Sequence, residues 1–290
     1  MATADKPVRG EWSKVSNDIL RLLLTAIQVL FMIPSIRLLT THHSPSMTYE
    51  QNAYEELSRW QKKMQRKPSL LNKLSKNVQT KINSYIPEKV HNAITVTLKQ
   101  MIRGVLFSAK YTTKSPAAVI SLQQTEEVVE RLIRNYRHTA AAEGGITGAG
   151  GLLLGLADFP ILLSIKLKML FDIASLYGFD VKDYKERVYI LHIFQLAFSS
   201  QEHRRNVYLQ IHNWDVQKHT LPDDINQFNW RPFQQEYRDY IDLAKMAQLI
   251  PGIGAVVGVV VNYKLINQLG QTAMNAYRMR LFPAQIEKAE

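Results

Sequence analysis

Apolar residues recur three and four apart along most of this 290-residue chain. That is the period of helices with one buried face. The clearest run is 90–111. There Ile94, Leu98, Met101, Ile102, Val105 and Ala109 make a stripe, and Lys89, Lys99, Arg103 and Lys110 surround it. Residues 49–67 read as a strongly charged helix after a polar linker, with Pro68 and Pro87 punctuating two further helical stretches. Ser115-Pro116 opens a helix whose period passes through Glu126, Glu127, Val128, Val129, Leu132 and Ile133 to about Ala142. Residues 161–177 form an amphipathic helix that Gly178 ends as a left-handed cap. A helix over 184–198, an irregular connection over 200–232 and a helix over 233–249 follow, and Pro251 introduces the last helical segment. No strand alternation is visible, so the expected fold class is all-α, a multi-helix bundle.

Glycine placement modifies this picture. Ten of the thirteen glycines fall in two apolar stretches, 144–155 and 251–270. The pairs Gly144/Gly148, Gly151/Gly155 and Gly254/Gly258 are each four apart, which bares backbone on one helix face and lets another helix approach. Residues 144–165 carry one charge, Asp158, followed by Phe159 and Pro160. An acid and a proline inside the run argue against a bilayer span and predict a glycine-rich helical hairpin bent near Asp158. Pro160 suits a first helical turn, so Asp158 reads most simply as the N-cap. Its functional alternative is a carboxylate held in an apolar hairpin, paired with a basic group such as Lys166 or Arg187, or gating an ion. Residues 15–36 hold 15 uncharged positions between Arg21 and Arg37. At about 1.5 Å per residue they are too short to cross a core of about 30 Å comfortably. A buried core helix and a membrane-surface helix both fit.

Charge adds a second division. The net charge is +11, and residues 59–114 contain 13 Lys and Arg against one acid, Glu88. Such a segment calls for an anionic partner. Nucleic acid is disfavoured because Trp60 and Tyr85 are sparse aromatic company. An anionic membrane surface is favoured, with Lys62, Lys63, Arg66, Lys67, Lys73, Lys76, Lys99 and Arg103 as candidate lipid contacts. The chain has no cysteine, so it has no thiolate chemistry, and the N-terminus lacks the features of a secretory signal peptide. The glycine run lacks the Lys-Ser/Thr of a phosphate loop, no GxSxG elbow is present, and His42-His43 and Glu202-His203 lack metal spacing. No cofactor, metal or catalytic residue is expected.

The glycine run with Asp158 and Pro160, then Tyr177-Gly178, Glu186-Arg187, Pro251, Gly254, Gly258 and Asn262, resembles the EcsC family in content and order. The resemblance covers roughly residues 93–282. It divides the chain into an N-terminal helical extension, 1–90, basic from about residue 59; an EcsC-like helical domain, 91–282; and a polar tail, 283–290. The family takes its name from a Bacillus protein encoded beside an ABC transporter. The resemblance therefore implies a membrane-associated accessory role, by association, and brings no catalytic residues with it. Asp158, Arg187 and Asn262 are the candidate polar residues, Asn262 most simply as a hydrogen bond between close helices. The expected function is that of a non-enzymatic protein peripheral to the cytoplasmic face of the cell membrane, with a membrane-protein partner. A soluble interaction module docking an acidic protein and a lipid-acting hydrolase are the alternatives.

Overall fold

The computed structural model describes residues 48–67, 88–107, 121–147, 151–242 and 258–282. Helices account for most of them: α1 (Tyr49–Gln65), α2 (Glu88–Phe107), α3 (Leu122–Thr147), α4 (Gly151–Leu176), α5 (Tyr184–Phe198), α6 (Arg204–His212), α7 (Trp214–Gln217), α8 (Trp230–Tyr240) and α9 (Gly258–Leu281). Among the described residues there is no strand, only one isolated antiparallel bridge between Ser199 and Ile241. The chain divides into two compact units. One, Met1–Ser46 with Ser69–Pro87, lies outside the described residues; the other comprises Met47–Pro68 and Glu88–Glu290. Helix α1 thus folds with the helices that follow residue 88, although the sequence assigned it to an N-terminal extension ending at 90.

Local chemistry explains several boundaries. Thr48 and Gln51 form a reciprocal capping box at the start of α1. Asp183 caps α5 by accepting from the Lys185 amide. Gly178 has φ 84° and closes α4. The Gly178 amide donates to the Ser175 carbonyl and the Phe179 amide to that of Ala174, the paired bonds of a Schellman turn. The stripe expected on α2 is buried as drawn: Ile94, Leu98, Met101, Ile102 and Val105 face inward, while Lys99 and Arg103 are exposed.

Two expectations need correction. Helix α4 does not start at Pro160. It begins at Gly151 and runs through Asp158 and Pro160 without a break, so Asp158 caps nothing. Pro160 is exposed, where solvent can replace the hydrogen bond that its missing N–H forfeits. Helices α3 and α4 end and begin inside the glycine-rich stretch, at Thr147 and Gly151, and pack on each other. Residues 200–232 are also more regular than expected. They hold α6, α7 and a 3-10 turn at Ile225–Gln227. Val207, Ile211 and Trp214 provide the buried face there.

Helices α5 and α9 form the centre. Every residue of α5 except Lys185 is buried, and α9 packs against α1, α3, α4 and α5. Gly270 shows why glycine is useful on α9. A Cβ there would lie 2.6 Å from Cδ1 and 2.8 Å from Cγ1 of Ile133 on α3, so the two helices meet closer than alanine permits. Among the described residues no helix is long and apolar enough to cross a membrane.

Candidate functional site

Two assemblies of charge stand out, one buried and one exposed. The buried one gathers around the C-terminal turns of α9. Arg278 and Glu126 are both interior, and the guanidinium grips the carboxylate with two bonds, Nε to Oε1 at 2.7 Å and Nη2 to Oε2 at 2.6 Å. Tyr177 donates to Oε1 at 2.9 Å and Tyr49 to Oε2 at 2.5 Å. Arg278 Nη1 reaches outward to Glu56 of α1 at 3.0 Å. Both oxygens of Glu126 therefore accept twice, as a buried carboxylate requires. Burial, then the Glu126 charge and hydrogen bond, push the Tyr177 phenol well above its ordinary range. Burial alone would lower the pKa of Arg278, but the bonds and charges of Glu126 and Glu56 outweigh it and raise the pKa.

A second pair lies two residues further along α9. Arg280 donates to Glu186 of α5 at 2.6 Å, and Tyr277 donates to the other oxygen of Glu186 at 2.9 Å. The Arg280 guanidinium lies 3.7 Å above the Phe179 ring, a cation–π contact. The Tyr277 ring stacks on both Tyr177 and Phe179, with centroids 5.3 and 5.0 Å away, and so links the two pairs. These contacts fasten α1, α3, the end of α4, α5 and α9 together. Every acceptor of Glu126 is occupied, so the cluster acts as a brace and offers no free base.

Arg187 is also a brace. It is buried and, among the described residues, donates to main-chain carbonyls only: twice to Leu106, at 3.2 and 3.0 Å, and to Val181 and Lys182 at 3.1 and 2.6 Å. It therefore ties the last turn of α2 to the start of α5. The side chains of Asp158 and Asn262 lie outside the described residues, as do Lys73 and Lys76. Lys166 is buried beside the Leu162 carbonyl, 3.5 Å away. His192 is buried too. Its Nδ1 lies 3.2 Å from Gln195 Oε1, and its ring meets Trp214 and Phe233 edge to face. Burial lowers its pKa to about 4.

The exposed assembly is the basic end of α1. Lys62, Lys63, Arg66 and Lys67 are all exposed. The chain fixes this end against α6 through Trp60, whose ring meets Tyr208 edge to face at 5.9 Å, and through Gln65, which donates to the Tyr208 hydroxyl at 3.4 Å. Helix α6 adds Arg204, half-buried, and Arg205, exposed. Lys99 and Arg103 lie elsewhere, on a helix packed against α4, α5 and α8, whereas α1 packs against α3, α6 and α9. The basic stretch of sequence is therefore two patches in space.

The sequence model of the EcsC protein family matches residues 51–282. The chain belongs to the EcsC family. It is 45% identical to Protein EcsC of Bacillus subtilis (strain 168) over 236 residues, which are 81% of this chain and 97% of that protein. It is 29% identical over 261 residues to a second protein of that strain, described as uncharacterised YdbA, covering 81% of this chain and 94% of the other. No solved structure matches. The EcsC match starts within α1 and ends beside Leu281, so it takes in α1, Glu56 and Glu126 as well as the two arginines of α9. Sequence reasoning passed over those charges. The usable signal was Glu126 in phase with Val129 and Ile133, an acid on an apolar stripe.

Proposed function

We propose that this EcsC family member is a non-enzymatic peripheral membrane protein that binds anionic headgroups through its exposed basic helix ends and serves a membrane complex as an accessory. One observation carries the reading. Among the described residues, none of Lys62, Lys63, Arg66, Lys67, Arg204 or Arg205 has an ion-pair partner, although several surface cations elsewhere do. Lys168 pairs with Asp172, Lys185 with Asp223, Lys218 with Asp215 and Arg134 with Glu130. Cations left unpaired at one end of a helix are available to an external anion, and each adds about 1 kcal/mol near an anionic leaflet. On α2 the exposed Val96 sits beside Lys99 and Arg103, an apolar side chain flanked by charge that suits the headgroup boundary. The transporter link rests on the family resemblance alone.

Flotation on vesicles of phosphatidylcholine with phosphatidylglycerol tests the reading. The protein should float at low salt and dissociate as salt rises, because screening weakens exposed charges. A protein that stays at the bottom of the gradient at low salt would sink the proposal. It would favour the soluble module that docks an acidic protein.

A further inference from the structure

The junction of α1 and α6 has features that a merely diffuse basic surface lacks. Arg204 is half-buried, and among the described residues no carboxylate or carbonyl accepts from its guanidinium. Lys63 and Arg66 lie at the end of α1, which packs on α6 through Tyr208, one turn beyond Arg204, so the three cations share one junction. Desolvation, then the charges of Arg204 and Arg66, lower the pKa of Lys63. Burial lowers the pKa of Arg204 as well. Cations crowded at a partly dry junction repel one another, and folding would separate them unless something else held them there. The holding groups are on the same helices: Trp60 and Gln65 fix α1 on Tyr208, one turn beyond Arg204. The start of α6 is capped only by main chain, the Arg204 amide donating to the Ser200 carbonyl at 3.0 Å. His203, in the N-cap position, makes no side-chain cap hydrogen bond and instead stacks on Tyr240 with centroids 4.4 Å apart. The first amides of α6 thus add a partial positive charge beside Arg204. The nearest acid in sequence is Glu202, which is exposed.

We propose that Lys63 and Arg66 of α1 and Arg204 of α6 form a binding site for the phosphomonoester headgroup of an anionic membrane lipid. The inference rests on the peripheral-membrane reading and narrows it. A phosphomonoester carries a charge of about −1.5 to −2 and three acceptor oxygens, against one charge and two free oxygens on a phosphodiester. Three cations at one junction, two of them arginines with a planar fork of donors, match the first better. A lipid is favoured over a soluble phosphate because the site sits among further exposed cations, Lys62, Lys67 and Arg205, which a membrane plane would engage and a small ion would not.

The test compares the full chain on two kinds of vesicle matched in surface potential, one containing phosphatidic acid and the other phosphatidylglycerol. Phosphatidic acid should bind about fivefold more tightly. Arg204→Gln should reduce that affinity to the phosphatidylglycerol level while changing phosphatidylglycerol binding less than about twofold. Lys63→Gln, at an exposed position where folding is not at stake, should do the same. Equal binding to the two vesicles, or equal losses on both in the variants, overturns the site and leaves the peripheral reading standing. Failure to bind either vesicle overturns both. Thermal stabilisation by glycerol 3-phosphate without a preference for phosphatidic acid overturns the lipid assignment in favour of a soluble ligand.

Discussion

The interior of this protein and the end of α1 hold arginines and lysines under opposite rules. Inside, Arg278 and Arg280 have carboxylates at 2.6 Å, and the tyrosines around those carboxylates complete their coordination. Outside, at the end of α1, no cation has a carboxylate among the described residues. Desolvation explains the first case, because an unmated buried charge is costly while a mated one is tolerable. Water explains the second, because an exposed charge needs no partner to be stable. Charge that is not used for folding is the charge that remains free for a partner. The comparison separates braces from binding groups.

The contrast can be broken most forcefully from inside. Arg278→Met leaves Glu126 buried with only two phenols and should destabilise by about 3–5 kcal/mol. Chemical denaturation would measure it. Adding Glu126→Gln should recover part of the loss, and a double variant as unstable as the sum of the singles would show that the two residues are not a pair. His192 tests a third rule, a buried group kept neutral instead of mated. Its folded pKa of about 4 lies below the ordinary 6.5. Stability is then full above pH 6.5 and falls as pH drops through 6.5 towards 4, by about 3 kcal/mol in all. His192→Asn should flatten that part of the pH profile of Tm. An unchanged slope would place the acid sensitivity elsewhere. The smallest effect is expected outside. Lys62→Gln with Lys67→Gln should leave stability within about 0.5 kcal/mol yet weaken flotation on anionic vesicles severalfold. A marked fall in Tm would mean that these lysines serve the fold after all.

Periodicity made the frame legible. The stripes of α2 and α4, the span of α5 and the cap at Gly178 all follow from side-chain spacing and one residue with free access to positive φ. Pro160 misled because a proline inside a helix is costly but not forbidden. On an exposed face the interior of a helix accommodates it. Helices α6 and α7 were missed because they are short and their polar residues outnumber the buried Val207, Tyr208, Ile211 and Trp214. The site was less legible than the fold. The basic residues were countable, but their division between two helix faces depends on tertiary packing. The braces depend on it more. Nothing local to Glu126 says that its mate lies 152 residues away.

That separation has a consequence for synthesis. Glu126 and Glu186 are synthesised long before Arg278 and Arg280, and α1 waits for Arg278 through Glu56. A nascent chain lacking the last turn of α9 holds two acids that cannot be desolvated. Its core can collapse early but cannot lock, and closure of these distant contacts is deferred until α9 has been made. The order in which the ribosome delivers residues thus makes completion of α9 the event that commits the domain to its native state.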